Sequence, residues 1–267
     1  MWSGWLAGSA WLGGPQLLLA PLLVIIVVSF WDDRYGTPAW VRLTVQTVAA
    51  CAWVWLAGTP FNVFAAVVAI VWMANLFNFM DGSDGLAVAM GLIGFTAYAL
   101  AESMAGIPDA PILWVLVAAL APCLVMNFPP ARLFLGDVGA VPLGFVAATF
   151  GISGWQSGAW PGWFPLLVFL PFVADASVTI VLRLLRGATI WEAHREHFYQ
   201  KLVQLGLGHR GTLALYGSLM AGTALSALLA LLRAPWAGPL LLILWGTVLA
   251  FLFAAVAHQW RARTRVL

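Results

Sequence analysis

LLLAPLLVIIVVSFWDDR, residues 17–34, is an uncharged apolar run that ends on Asp32, Asp33 and Arg34. An α-helix rises about 1.5 Å per residue, so about 20 apolar residues cross a hydrocarbon core of about 30 Å. With the residues before it, from about position 12 to 31, this run is long enough. Eight more follow near 39–57, 61–80, 86–105, 111–128, 138–153, 161–182, 211–231 and 236–258, the sixth of the series short and the seventh interrupted by Pro171 and Asp175. Taken singly, several read as buried helices of a soluble protein; nine in series with short loops do not. The ten-residue alternation of membrane barrel strands is absent. Composition agrees, since 63% of the 267 residues are hydrophobic and 8% charged, against about 25% charged in globular chains. The expected fold is all-α, a polytopic membrane protein of about nine transmembrane helices forming one domain over 1–267.

A formal net charge of +2 argues against nucleic acid as a partner. Cys51 and Cys123 fall inside apolar runs and read as small hydrophobes, not as a disulfide or metal pair. The opening MWSGWLAGSAW lacks the positive start and cleavage site of a signal peptide and is expected to be retained. Lys and Arg accumulate in cytoplasmic loops. Arg34, Arg42, Arg132, Arg183, Arg186, Arg195, Lys201, Arg210, Arg261, Arg263 and Arg265 fall on one side of the runs, and only Arg233 on the other. The amino terminus is therefore expected outside and the carboxyl terminus in the cytoplasm.

Acidic residues have no reason to obey that rule, yet Asp32, Asp33, Asp81, Asp84, Asp137, Asp175, Glu192 and Glu196 sit at or beside helix ends on the basic side, leaving Glu102 and Asp109 toward the other. Gathered carboxylates repel and lose hydration, so they take up protons unless cations neutralise them. Four segments carry this chemistry. In Asp32-Asp33, neighbours point to different sides of a helix, so one can meet a phosphate or metal while the other orients an Arg. Asn75, Asn78 and Asp81 recur every third residue on one helical face until Gly82 and Gly85 flank Asp84 and release the helix, a density of polar groups that a simple C-terminal cap does not explain. In the third segment, Asn127 to Gly139, Pro129 and Pro130 stop a helix, and Gly136 and Gly139 allow close approach to backbone around Asp137. The fourth is the loop over 183–210 with His194-Arg195-Glu196-His197, whose imidazole and guanidinium groups suit a sugar or phosphate better than a metal. An oxygen-rich, thiol-free inventory favours Mg²⁺, which keeps waters and shares its shell with substrate phosphates. A transporter also needs intramembrane carboxylates, but near the midplane; here they collect at one surface.

Together these segments resemble the polyprenyl-phosphate N-acetylhexosamine-1-phosphate transferases, through WDDR, RLTVQ, NLFNFMDGSDGL, NFPPARLFLGDVGAVPLGF, PFVADASVTIVLRLLRG and HREHFYQKL, from about residue 20 to about 205. The resemblance implies transfer of a sugar-1-phosphate from a UDP-sugar to undecaprenyl phosphate in the inner (cytoplasmic) membrane, releasing UMP and requiring Mg²⁺, with Mn²⁺ as a substitute. It implies that Asn78 and Asp137 hold the metal and that Asp32 and Asp33 lie near the attacking lipid phosphate. Phe134 and Asn127 would stack on and hydrogen-bond the uridine, Asp84 would reach the uracil edge, and Asp81 would support the metal or phosphate network. Direct attack by the lipid phosphate and a covalent Asp intermediate both stay open, as does a homodimer.

Family members usually carry two further helices and a Pro-Arg-Gly-Gly segment before the paired aspartates, whereas 31 residues precede Asp32 here. A shortened amino terminus is expected, and with it a second reading, an inactive or transport-like homologue that retains nucleotide binding. The carbohydrate loop, with His194, Arg195, Glu196 and His197, looks closer to the O-antigen-initiating branch than to the translocase. The expected donor is therefore UDP-GlcNAc or a 6-deoxy UDP-N-acetylhexosamine, with Arg195 and Glu196 bonding ring hydroxyls and the acetamido oxygen.

Overall fold

The computed structural model describes residues 1–12, 16–59, 62–189 and 194–264. Among these the regular structure is all helical: α1 (Trp2–Leu12), α2 (Gln16–Tyr35), α3 (Ala39–Ala57), α4 (Val63–Phe79), α5 (Leu86–Ala105), α6 (Ala110–Asn127), α7 (Gly136–Gln156), α8 (Trp163–Val168), α9 (Leu170–Leu185), α10 (Phe198–Leu202), α11 (Gly208–Arg233) and α12 (Gly238–Thr264). Glu192 and Arg265 lie outside the described residues, as do the first residue of the run near 61–80 and all of 190–193 within the loop over 183–210.

Among the described residues every apolar run forms helix. Seven stretches among the described residues are long and apolar enough to cross a membrane: Gln16–Tyr35, Ala39–Ala57, Leu86–Ala105, Ala110–Asn127, Gly136–Gln156, Phe198–Arg233 and Pro235–Arg263. The third run gives the shorter apolar helix Val63–Phe79, and the seventh splits into α8 and α9. Large apolar side chains such as Trp55, Phe64, Val125, Ile243 and Phe251 stand on the outside of the bundle, where lipid takes the place of water. The molecule is a polytopic all-α membrane protein. Cys51 and Cys123 are free thiols on α3 and α6.

Two details differ from the sequence reading. The break in the seventh run falls at Phe169, because Pro171 has no N–H to continue the ladder across the α8–α9 joint; Asp175 lies within α9. In addition, residues 2–12 form α1, which that reading had not placed. Its buried Trp2 and Trp5 donate indole N–H groups to the carbonyls of Val138 (2.9 Å) and Ile112 (3.1 Å), pinning α1 to α7 and α6.

α4 packs along α3, α7 and α9. Its contact with α7 is a backbone contact at Gly144, where a Cβ would lie 2.1 Å from the Met73 carbonyl oxygen and 2.7 Å from Ala74 Cα. Small residues permit such approach between membrane helices. It sets the end of α4, with Asn78, against the start of α7, with Asp137.

Candidate active site

At the end of α2 the two adjacent carboxylates part company. Asp32 Oδ2 accepts a bond from Arg42 Nη1 of α3 at 2.9 Å, and the same nitrogen reaches Asp137 Oδ2 at 3.2 Å. One guanidinium thus bridges acids from α2 and α7. Asp33 turns the other way and accepts from the backbone N–H groups of Asp137 and Val138, both at 2.9 Å. A helix begins with unpaired N–H groups and a partial positive charge, so Asp33 caps α7 from a neighbouring helix. Gly136 makes this approach feasible: its φ is +63°, and a Cβ there would sit 2.8 Å from Asp33 Oδ2. Removing a cap costs about 1 kcal/mol, so Asp33→Ala is expected to lower the thermal midpoint in detergent by several degrees. An unchanged midpoint would show that the cap is energetically idle.

The end of α4 supplies the next groups. Asn75 donates to Gln46 of α3 at 2.6 Å and to the Val71 carbonyl, a bond between helices and not a ligand position. Asn78, one turn on, lies against Asp137. Burial, followed by the negative charges of Asp137 and Asp33, pushes the Asp81 carboxyl up to about 8. Beyond it, Asp84 Oδ2 accepts from Ala131 N–H at 3.0 Å. Asn127, buried at the end of α6, accepts from Gly85 N–H at 2.8 Å and donates to the Leu133 carbonyl at 2.6 Å. The structure therefore occupies both ends of the Asn127 amide in lacing residues 81–85 to residues 128–135, a different occupation from the uridine contact expected of it. Phe134 stands 76% exposed on the second of these loops, an open aromatic face beside Asp84's anchor.

The third part is built around Asp175, which is wholly buried in α9. It accepts from the backbone N–H groups of Phe198 and Tyr199, both at 3.0 Å, and from the hydroxyls of Thr179 and Tyr216; His197 Nδ1 lies 3.3 Å away. Asp175 thus caps α10 and fixes His197, which is buried and stacks on Phe79 and His194. Tyr199 carries the order onward: its hydroxyl donates to the Phe79 carbonyl (2.9 Å) and accepts from Gly82 N–H (3.1 Å), joining the loop to the end of α4. Glu196 bonds Arg183 and Arg186 with its two oxygens. Although burial opposes it, the Arg186 bond and charge, with Arg183, hold the Glu196 carboxyl below its usual range. Glu196 accordingly locks the loop, where a substrate contact was expected. Burial, then His197 and Arg183, pull the His194 imidazole down to about 4, so it is neutral at pH 7, and its buried Nδ1 has no hydrogen-bond partner among the described residues. Arg195 is exposed.

Asp32, Asp33, Asn78, Asp81, Asp84, Phe134 and Asp137 therefore gather at one end of the bundle, and the His194–His197 loop is tied to them through Tyr199. The residues that sequence reasoning left without a site role are Arg42, Asp175 and Tyr199. A basic residue in an apolar run, four before Gln46, was the signal for Arg42; an acid one turn before Thr179 was the signal for Asp175. Nothing in the sequence marks Tyr199. Among the described residues no group of three or more His, Cys, Asp or Glu side chains forms a ready metal cage. The donor set is instead oxygen from Asn78 and Asp137 with Arg42 against it, which fits a hard ion that takes one or two protein ligands and completes its shell with phosphates and water.

The carboxylates of Asp32 on α2 and Asp137 on α7 and the guanidinium of Arg42 on α3 thus meet at helix ends of a bundle whose outer face is apolar. Residues 16–154 match the model for glycosyl transferase family 4, and the chain belongs to that family. It is similar to the probable undecaprenyl-phosphate N-acetylglucosaminyl 1-phosphate transferase of Bacillus subtilis (strain 168), at 26% identity over 207 residues, 70% of this chain and 58% of that protein. The decaprenyl-phosphate N-acetylglucosaminephosphotransferase of Mycobacterium tuberculosis (strain ATCC 25618 / H37Rv) is 30% identical over 240 residues, 74% and 59% of the two chains. The phospho-N-acetylmuramoyl-pentapeptide-transferase of Lacticaseibacillus paracasei is 28% identical over 159 residues, 59% and 45%. The chain thus spans less than two thirds of the length of these relatives.

Proposed function

We propose that this protein transfers a sugar-1-phosphate, GlcNAc or a 6-deoxy-N-acetylhexosamine, from a UDP-sugar to undecaprenyl phosphate, releasing UMP, at the cytoplasmic face of the inner membrane. The product would start an O-antigen or other cell-envelope polysaccharide. The observation that carries the reading is the Asp32–Arg42–Asp137 bridge with Asn78 and Asp81 beside it. It gathers carboxylates and one guanidinium at the ends of α2, α3, α4 and α7, next to two interlaced loops that carry Asp84 and Phe134. Relatives named for N-acetylglucosamine transfer align over more of the chain than the pentapeptide transferases do, which favours the smaller sugar.

An oxygen of the lipid phosphate bonds to the phosphorus bearing the sugar, and the bond from that phosphorus to the oxygen bridging it to the UMP phosphate breaks. UMP leaves with that oxygen and its electron pair. Mg²⁺ bound by Asn78 and Asp137 would neutralise the diphosphate. Asp32, held by Arg42, accepts the proton of the acceptor phosphate. Arg42 offers the guanidinium that meets charge developing on the phosphoryl oxygens, and Asp33 fixes Asp137 by capping its helix. Asp84 and Phe134 bind the base. Membranes carrying the protein, given radiolabelled UDP-GlcNAc, undecaprenyl phosphate and Mg²⁺, should yield labelled lipid and UMP. UMP binding without turnover of any UDP-sugar would replace transfer by a binding role.

In the sugar loop, Glu196 is locked and His197 buried, so discrimination falls to Arg195 and His194. A site that hydrogen-bonds a sugar rejects analogues lacking the bonding group strongly. Arg195→Gln is expected to change the turnover ratio between UDP-GlcNAc and its 6-deoxy analogue by roughly tenfold, the worth of one charged hydrogen bond, with UMP binding unchanged. Equal loss for both sugars together with weaker UMP binding would place the loop at the phosphates.

A further inference from the structure

α11 begins with Gly208, His209 and Arg210, and the side chains of His209 and Arg210 reach back to the loops just described. His209 Nδ1 lies 3.0 Å from Ser83 Oγ and 3.4 Å from Asp84 N, with Asp84 Oδ1 at 3.8 Å. Arg210 Nε donates to the Pro129 carbonyl at 3.0 Å. Two consecutive residues of one helix therefore hold the two loops separately, one at Ser83–Asp84 and one at Pro129. The loops are also bonded to each other, through Asp84 with Ala131 and through Gly85 with Asn127. α11 thus holds both the loop that carries Asp84 and the loop that carries Phe134.

We propose that His209 is a positioning residue for nucleobase selection: by anchoring Ser83 and the Asp84 amide it fixes the direction of the Asp84 carboxylate, and through it the preference for uracil over cytosine. This rests on the uridine-nucleotide reading above. Asp84 Oδ2 is taken by Ala131, which leaves Oδ1 to face a ligand. A carboxylate oxygen accepts only. Uracil offers it an imide N–H, whereas cytosine presents a ring-nitrogen lone pair at the same position, which repels it. The distinction depends on aim, since a carboxylate free to rotate could seek the cytosine amino group instead. His209 Nδ1 accepts from the Asp84 N–H and meets the Ser83 hydroxyl, so the residue before Asp84 and its own backbone are held together.

The test uses the full chain purified in detergent and calorimetric titration with UMP, CMP and pyrophosphate. His209→Leu should weaken UMP binding roughly tenfold, the worth of one or two hydrogen bonds, and lower the UMP-to-CMP preference by a similar factor, with pyrophosphate binding unchanged. His209→Asn, which keeps an acceptor oxygen close to the Nδ1 position, should restore much of the preference. Ser83→Ala, a small change that removes one of the two bonds, should narrow it in the same direction and serves if His209→Leu does not fold. In turnover, the loss should appear in KM for the UDP-sugar and not in kcat. An unchanged UMP-to-CMP ratio in His209→Leu and Ser83→Ala would overturn the inference while leaving the nucleotide reading intact. Equal weakening of UMP, CMP and pyrophosphate would also overturn it, by reducing His209 to a packing role. A wild-type protein that binds neither nucleotide would overturn the reading beneath it, and the inference with it.

Discussion

Asp137→Asn is expected to reduce turnover about a thousandfold or more, several kcal/mol of transition-state stabilisation, with the helices still folded. Asn has nearly the volume of Asp, and the α7 cap is unaffected because Asp33 bonds the backbone of residue 137 and not its side chain. What is lost is a negative charge beside Asn78, Asp32 and Arg42. Arg42 keeps Asp32 at 2.9 Å, so a loss caused only by the Arg42 pair would be modest, since that guanidinium is 37% exposed and partly screened pairs contribute little. A metal role predicts more: the half-saturating Mg²⁺ concentration should rise steeply in the variant. Near-normal turnover at limiting Mg²⁺ would sink the assignment of Asp137 as a metal ligand.

The spanning helices were legible because hydrocarbon imposes a length and a composition on anything that crosses it, and runs such as 17–31 meet both. The divergence of Asp32 and Asp33 was legible for a geometric reason, as successive residues of a helix cannot address one partner. What each would address was not. The cap on α7 requires knowing that residues 33 and 137 are neighbours, and only Gly136 and Gly139 hinted at a close approach there. The same limit explains Asn127 and Glu196. Both are polar residues in a segment rich in ligand-like groups, and a sequence does not distinguish an amide that binds a nucleotide from one that laces two loops. Helix α1 escaped because its contribution comes from two indole N–H groups reaching carbonyls more than a hundred residues away. Asp175 was seen as an interruption of an apolar run. Its bonds to Phe198 and Tyr199 satisfy the carboxylate fully, so the helix passes through it unbroken.

The second large effect belongs to Gly144, two turns beyond Asp137 on α7. Gly144→Leu is expected to destroy activity and most of the folded yield. A Cβ at this position would lie 2.1 Å from the Met73 carbonyl oxygen and 2.7 Å from Ala74 Cα and the Met73 carbonyl carbon. These are backbone atoms of α4, so no rotamer change relieves the contact, and the helices must separate. Overpacking in a close-packed core costs about 1–3 kcal/mol where side chains can yield, and more is expected where they cannot. The functional cost is larger still, because the α4–α7 spacing sets Asn78 against Asp137, and a misplacement of about 1 Å at a reacting centre can cost about a hundredfold in rate. Gly144→Ala should show the same loss in milder form. Gly217 on α11 gives the contrast: a Cβ there meets nothing within 4 Å, so Gly217→Ala should leave the thermal midpoint unchanged or raise it slightly through better helix propensity, by up to about 1 kcal/mol. Melting curves in detergent and transfer assays on the three variants decide the matter. If Gly144→Leu melted and turned over like the wild type, the close contact of α4 with α7 would not be what aligns the two halves of the site.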